Sequence, residues 1–196
     1  MKLVLATKNQ GKLRELKELA GNLPWLELVL APDEFEVEET GVTFMENAVI
    51  KAQAAAKLTG LICCADDSGI AVAALNGAPG VYSARYCQGS DQDRRHKLMQ
   101  AMKDVPQDKR QAAFICAMAV SAANGEILYT AEGIWPGVIA LAEKGTNGFG
   151  YDPIFFLPEL NKTAAELSAD VKNKISHRGQ ALSKVLTWLM AQQDLV

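Results

Sequence analysis

Histidine and paired cysteine are scarce in this chain. Only His96 and His177 occur, and Cys63, Cys64, Cys87 and Cys116 form no C-x-x-C. Zinc-ligand spacing is therefore absent, and small buried thiols in a reducing compartment are expected. A basic excess is missing too. The formal net charge of −3 gives no general pull toward nucleic acid or an anionic membrane. Any polyanionic ligand then needs local groups or a metal ion. No apolar run approaches the ~20 residues of a membrane-spanning helix. After Met1, KLVLAT is too short for the apolar region of a signal peptide. The expectation is a cytoplasmic protein with neither a nucleic-acid nor a membrane partner.

What is there suits a soluble globular chain. Its 196 residues are 49% apolar and 22% charged, enough for a sizeable core. Repeats, low-complexity tracts and long linkers are absent, so residues 1–196 read as a single domain, one body or two small lobes sharing a core.

The apolar patterning predicts a strand over KLVLAT (2–7), a loop at KNQG, and a helix over KLRELKELAGNL with Leu13, Leu16 and Leu19 inward. LELVLA (26–31) reads as strand, and the carboxylate-rich PDEFEVEETG as an exposed loop. A helix follows, opened by the capping-box pattern Thr43-x-x-Glu46 and closed at Gly60. Two strands, 61–65 and IAVAAL (70–75), come next, with DDSG (66–69) as a sharp interruption. DQDRRHKLMQAMKDV predicts a helix with Leu98, Met99 and Met102 inward. Two apolar runs joined through Asn124-Gly125 predict a hairpin. KGTNGFGYDPIFFLP (144–158) surrounds a short aromatic strand with glycine and proline. A C-terminal amphipathic helix follows Ser176 as its N-cap. This order favours α/β or α+β with a mixed sheet over an all-β sandwich.

The DDSG interruption poses a question of charge. Taking an ionised carboxylate out of water without a partner costs several kcal/mol or more. Either Asp66 and Asp67 end a strand and face solvent, or a positive charge waits for them. A second feature is TKNQGK (7–12), where a strand–loop–helix turn with Lys8 and Lys12 has the physics of an anion site. It is not a Walker A loop, since G-x-x-x-x-G-K-[ST] is missing, and a solvated turn is the plain alternative. Glu39, if brought near Asp67, would suit magnesium, which takes one or two carboxylates plus water and phosphate. Asn47 and Lys51, four apart on one helix, share a face that could reach a phosphate.

In GFGYDP (148–153), glycines beside Phe149 and Tyr151 leave room for a planar ligand, and Asp152 could read a base edge. The alternative is a glycine-rich hairpin with an aromatic pinned in the core. SHRG (176–179) puts His177 and Arg178 in a helix's first turn, where cations are disfavoured; such local misfits mark sites. His96 reads as part of a solvated basic helix face.

Taken in order, TKNQGK, EETGVTFMENAVIKA, ADDSG, GAPGVYSARY, GFGYDPIF and SHRGQAL closely resemble the inosine triphosphatase family of bacterial dITP/XTP pyrophosphatases. The likeness runs from about residue 2 to about residue 190. It implies an α/β fold: an elongated mixed β-sheet flanked by helices, in two lobes with a central substrate cleft. It also implies a homodimer that uses Mg2+ to convert non-canonical purine triphosphates (ITP, dITP, XTP) to the monophosphate and pyrophosphate. By the resemblance, Thr7, Lys8, Asn9, Gln10, Gly11 and Lys12 form the phosphate loop, with Lys51 a further phosphate contact. Glu39 and Asp67 fall on the metal positions, Asp67 on the proton acceptor, and Ser68 on a substrate contact. Asp66 is a second candidate for the acid's duties. Phe149, Gly150, Tyr151, Asp152, Lys172, His177 and Arg178 map to the base pocket. Lys8 departs from the pattern, since several relatives carry glycine there.

Two other readings share these residues. A non-catalytic nucleotide-binding regulator would bind ITP without turnover. A phosphatase acting through an aspartyl-phosphate would use an aspartate at a strand end, but DDSG lacks the D-x-D arrangement of such enzymes.

Overall fold

The computed structural model describes all residues except Asn9, Asn22 and 193–196, and it leaves out the side chains of Gln10, Glu15 and Leu19. Its strands are β1 (Lys2–Leu5), β2 (Glu27–Leu30), β3 (Cys63–Val72), β4 (Gln111–Ser121), β5 (Ile127–Ile139), β6 (Phe155–Leu157) and β7 (Lys162–Thr163). Its α-helices are α1 (Gln10–Ala20), α2 (Phe44–Thr59), α3 (Asp91–Ala101), α4 (Ala169–Ile175) and α5 (His177–Ala191). One seven-stranded sheet runs in the order β2-β1-β3-β4-β5-β6-β7. β1 is parallel to β2 and β3, whereas β6 is antiparallel to β5 and β7. The expected mixed sheet of an α/β protein is present. Among the described residues, no helix is long and apolar enough to cross a membrane.

Two compact units divide the chain. The first comprises residues 1–67, 116–133 and 178 onward; the second comprises 68–115 and 134–177. In the first, Leu3, Leu5 and Cys64 join Leu16 of α1 and Ala181, Leu182, Val185 and Leu189 of α5 in one core. Alternation along the strands turns Val4, Cys63 and Ala65, also buried, the other way. α2 packs against β1 and buries Ala48, Ala52, Ala55 and Ala56, a small-residue face that lets helix and sheet approach closely. The second unit has its own core around Ile70, Leu98, Met102, Phe114, Trp135 and Phe155.

Local signals act as the sequence predicts at α2. Thr43 accepts from the Glu46 N–H at 3.1 Å, and the helix ends at Gly60 in the left-handed conformation. The Glu46 carboxylate caps one residue early, accepting from the Val42 N–H at 2.7 Å. The hairpin through Asn124-Gly125 joins β4 to β5, with the Ala122 N–H donating to Glu126 O at 2.8 Å. α1 begins earlier than expected and stops at Ala20. Leu13 and Leu16 face the core as expected, and the expected inward Leu19 side chain lies outside the described residues. α4 carries no sequence expectation, and Ser176 caps its C-terminus directly before α5.

One expectation is overturned. DDSG does not separate two strands: Cys63–Val72 is one continuous ten-residue strand. Residues 73–75, expected as its continuation, form a 3-10 turn instead. The strand survives two consecutive aspartates because each meets a cation, as the site shows.

Candidate active site

The register of β1 against β3 builds the site. Leu5 stands opposite Cys64 in parallel strands, so two residues onward Thr7 and Asp66 leave the pairing side by side. α1 starts just beyond, and Lys12 Nζ reaches back to Asp66 Oδ1 at 2.7 Å and Oδ2 at 2.8 Å. Arg178, at the start of α5, brings its Nε to 3.6 Å from Asp66 Oδ2. Burial alone would raise the Asp66 pKa, but Lys12, Arg178 and Lys51 hold it well below the usual carboxylate range. The misplaced cation at the head of the last helix thus has a buried counter-ion.

Asp67 points to the opposite face of β3, toward α2. Its Oδ2 accepts from Asn47 Nδ2 and its Oδ1 from Lys51 Nζ, each at 3.1 Å. Lys51 also donates to Glu39 Oε1 at 2.6 Å. The two carboxylates named as metal positions therefore converge on one ammonium, their oxygens no further apart than those two bonds laid end to end. Asn47 Oδ1 accepts from the Gly41 N–H at 2.8 Å, which ties the acidic loop to the helix. A Cβ on Gly41 would stand 2.7 Å from Asn47 Oδ1 and from Glu46 Cβ, so only glycine lets the loop pass this close. Burial raises the Asp67 pKa; Lys51 and Asn47 oppose this, and nearby Glu39 adds to it, leaving the net shift upward. For Lys51 burial pulls downward, yet Asp67, Asp66 and Glu39 keep the ammonium's pKa raised. Adjacent residues of one strand thus have opposite acidities.

A cavity of about 640 Å³ is lined among others by Thr7, Lys8, Lys12, Glu39, Lys51 and Asp66; Asp67 does not line it and is joined to it through Lys51. Its wall holds three lysines (8, 12, 51) and four carboxylates (Glu36, Glu38, Glu39, Asp66), a net negative balance that would repel a bare triphosphate. A divalent cation reverses that sign. Glu39 and Asp67 fit one by chemistry: both are hard oxygen donors, and they already hold a cation between them. Among the described residues no group of three or more His, Cys, Asp or Glu could hold a metal, so water and ligand oxygens would complete the shell. Lys8 lies 3.9 Å from Glu36, both well exposed. Asn9 lies outside the described residues, as does the side chain of Gln10.

The remaining candidates belong to the second unit. Phe149 is 59% exposed, with Lys172 Nζ 4.8 Å from its ring centroid. Asp152 is buried; its Oδ2 accepts from the Phe149 N–H at 2.8 Å and from Lys172 Nζ. Tyr151 is only 5% exposed, and its hydroxyl donates to Ser83 O at 2.8 Å. Of the two aromatics in this turn, one is presented and the other is pinned in the core. His177 is buried and stacks on Phe114, centroids 4.8 Å apart and planes 9° from parallel. Ser68 follows Asp67 in β3, half-buried. His96 is 61% exposed, in line with a solvated helix face. Asn47 and Gly41 belong with the site residues; both lie within EETGVTFMENAVIKA, though Gly41 carries no expectation of its own. The i,i+4 spacing of Asn47 to Lys51 is the one signal available in the sequence.

The profile of the Ham1 family matches residues 3–188. The chain belongs to the Ham1 family. A Ham1 protein from Coxiella burnetii superposes with a TM-score of 0.89 at 44% identity, covering 97% of this chain and 99% of that one. One from Staphylococcus aureus gives 0.89 at 40% identity, covering 98% and 100%. Relatives named dITP/XTP pyrophosphatase, from Shigella flexneri and Escherichia coli K12, are 52% identical over 190 residues, 94% of this chain and 96% of theirs. The family resemblance carried by the six sequence motifs is borne out.

Proposed function

We propose that this Ham1 chain is a dITP/XTP pyrophosphatase, hydrolysing ITP, dITP and XTP to the monophosphate and pyrophosphate and so clearing deaminated purines from the nucleotide pool. The observation that carries this is the Glu39–Lys51–Asp67 constellation beside the Lys12 loop, in a chain half-identical to relatives of that name. The cofactor is Mg2+, which Glu39 and Asp67 would hold. When bound, it offsets triphosphate charge and acidifies a coordinated water.

Within that frame the chain's own groups divide the work. Asp67, held toward the site by Asn47 and Lys51, accepts the proton of the water attacking the α-phosphorus. Asp66 stays ionised and locked on Lys12 and Arg178, so its role is to anchor the phosphate loop and the start of α5. Lys51 spends two of its three N–H donors on carboxylates and turns the third to the ligand. Lys12 and Lys51 stabilise charge building on the leaving pyrophosphate, helped by Thr7, Lys8 and the loop from Asn9 to Gly11.

In the second unit, the Phe149 ring stacks on the base, while Lys172, oriented by Asp152, donates to the 6-oxo group of hypoxanthine or xanthine. Adenine presents a 6-amino donor there instead, a mismatch of a few kcal/mol. Gly150 gives the turn its shape, Tyr151 supports it from the core, His177 and Arg178 complete the base pocket, and Ser68 contacts the substrate. The enzyme acts as a cytoplasmic homodimer. A panel of purine triphosphates with magnesium, read separately for pyrophosphate and orthophosphate, tests the reading: ITP far above ATP in kcat/KM is expected, and comparable values would remove the base-pocket assignment.

A further inference from the structure

The turn that carries Phe149 is gripped from outside by two side chains to which neither the motifs nor the family likeness gives a role. Asp91 and Arg95, one helical turn apart on α3, take hold of the two peptide groups of a single residue. The Gly150 N–H donates to Asp91 Oδ2 at 2.8 Å, and the Gly150 carbonyl accepts from Arg95 Nη1 at 2.9 Å. Both side chains are themselves fixed. The other Asp91 oxygen accepts from Arg94 Nη2 at 2.6 Å, and Arg95 Nε lies 3.1 Å from Glu143 Oε1. The helix end beneath them is closed by a capping box between Ser90 and Asp93. Gly150 is flanked by the exposed Phe149 and the anchored Tyr151, so its peptide plane sets the direction in which the Phe149 ring is presented.

We infer that Asp91 and Arg95 are positioning residues for base recognition: they hold Gly150, and through it the Phe149 ring, in the orientation that stacks on the purine. This rests on the base-pocket reading of Phe149. Charge-assisted bonds to a turn that would otherwise sample several orientations convert loop entropy into ligand affinity. The effect then falls on recognition of the base rather than on phosphate chemistry.

The test measures KM and kcat for ITP, and the inhibition constant of inorganic tripolyphosphate, which has no base. Asp91→Ala and Arg95→Gln are each expected to raise KM for ITP about tenfold while kcat stays within about twofold. Inhibition by tripolyphosphate is unchanged, and Asp91→Asn, which keeps an acceptor oxygen, stays close to wild type. The inference is overturned if neither Asp91→Ala nor Arg95→Gln moves KM. It is equally overturned if KM, kcat and tripolyphosphate inhibition shift together with a fall in Tm, which assigns both residues to general folding. Phe149→Ala runs alongside. If it raises KM and the α3 variants do not, the positioning role alone has failed; if it too leaves KM unchanged, the base pocket lies elsewhere.

Discussion

Asp66 and Asp67 are neighbours in one strand, yet their carboxylates answer to different helices and have opposite acidities. Asp66 meets Lys12 and Arg178 and is held strongly acidic; Asp67 meets Asn47 and Lys51 and is less acidic than an ordinary aspartate. The strand's two-residue period creates that division, since consecutive side chains must face opposite ways. One carboxylate becomes a structural counter-ion and the other a candidate base.

Exchanging each aspartate for asparagine should therefore separate activity from stability. Asp67→Asn is expected to lower kcat by about 10² to 10⁴ and to cost less Tm than Asp66→Asn, because the amide keeps one of the two acceptor oxygens that face Asn47 and Lys51. Asp66→Asn should instead remove a buried carboxylate that Lys12 and Arg178 share, costing roughly 3 kcal/mol and several degrees of Tm. Turnover assays and thermal unfolding of the two variants check this directly.

The Asp66 pairing also sets a pH dependence. A carboxylate whose folded pKa is depressed contributes stability that is fully present above its unfolded value of about 4 and is lost as pH falls toward the folded value. Asp66→Asn should accordingly lose part of the wild-type decline in stability below about pH 4. Equal acid-side slopes in urea unfolding of the two proteins would contradict the assignment.

Metal dependence should trace to the loop acid. Chelation is expected to abolish turnover and added magnesium to restore it. Glu39→Gln, which keeps a bond to Lys51 but loses a charge, should raise the magnesium concentration for half-maximal rate about tenfold. A magnesium titration at saturating ITP reads this, and an unchanged midpoint would remove Glu39 from the metal site.

Away from the site, Arg110 is buried and donates to four carbonyls: Met102, Val105, Ile139 and Ala140. It ties the C-terminal end of α3 to the end of β5. Arg110→Met keeps the stem but removes the charged donor from all four, of which Met102 O keeps the Val105 N–H as a partner, so a loss of about 3 kcal/mol is expected, seen as a lower denaturant midpoint.

The thiols give a separate check on burial. Cys64 is pushed up to about 12 by burial, and Cys116 is raised further by the same cause. Cys87 is the only cysteine of intermediate exposure. An alkylating reagent at neutral to mildly basic pH should label Cys87 in the native protein, and Cys64 and Cys116 only after unfolding.

Much of this arrangement is legible in the sequence because its signals are local. The Thr43 cap, the Gly60 stop, the Asn124-Gly125 turn and the Asn47–Lys51 spacing each act within a few residues. What is not legible depends on partners distant in the chain. DDSG reads as a break because strand propensity penalises aspartate, and nothing nearby announces Lys12, Lys51 and Arg178 as counter-ions. The register of β1 on β3, which brings Lys12 to Asp66 across 54 positions of sequence, has no local signature. For the same reason, which of Phe149 and Tyr151 is presented and which is buried follows from the Tyr151 bond to Ser83, not from the motif around them.

In the proposed reaction, Asp67 directs water onto the α-phosphorus of a purine triphosphate. Hydrolysis of ITP in heavy-oxygen water, with both products analysed by mass spectrometry, tests it most directly. Pyrophosphate as the co-product, with the label in the monophosphate alone, is expected. Label in the pyrophosphate, or release of orthophosphate in its place, would contradict it.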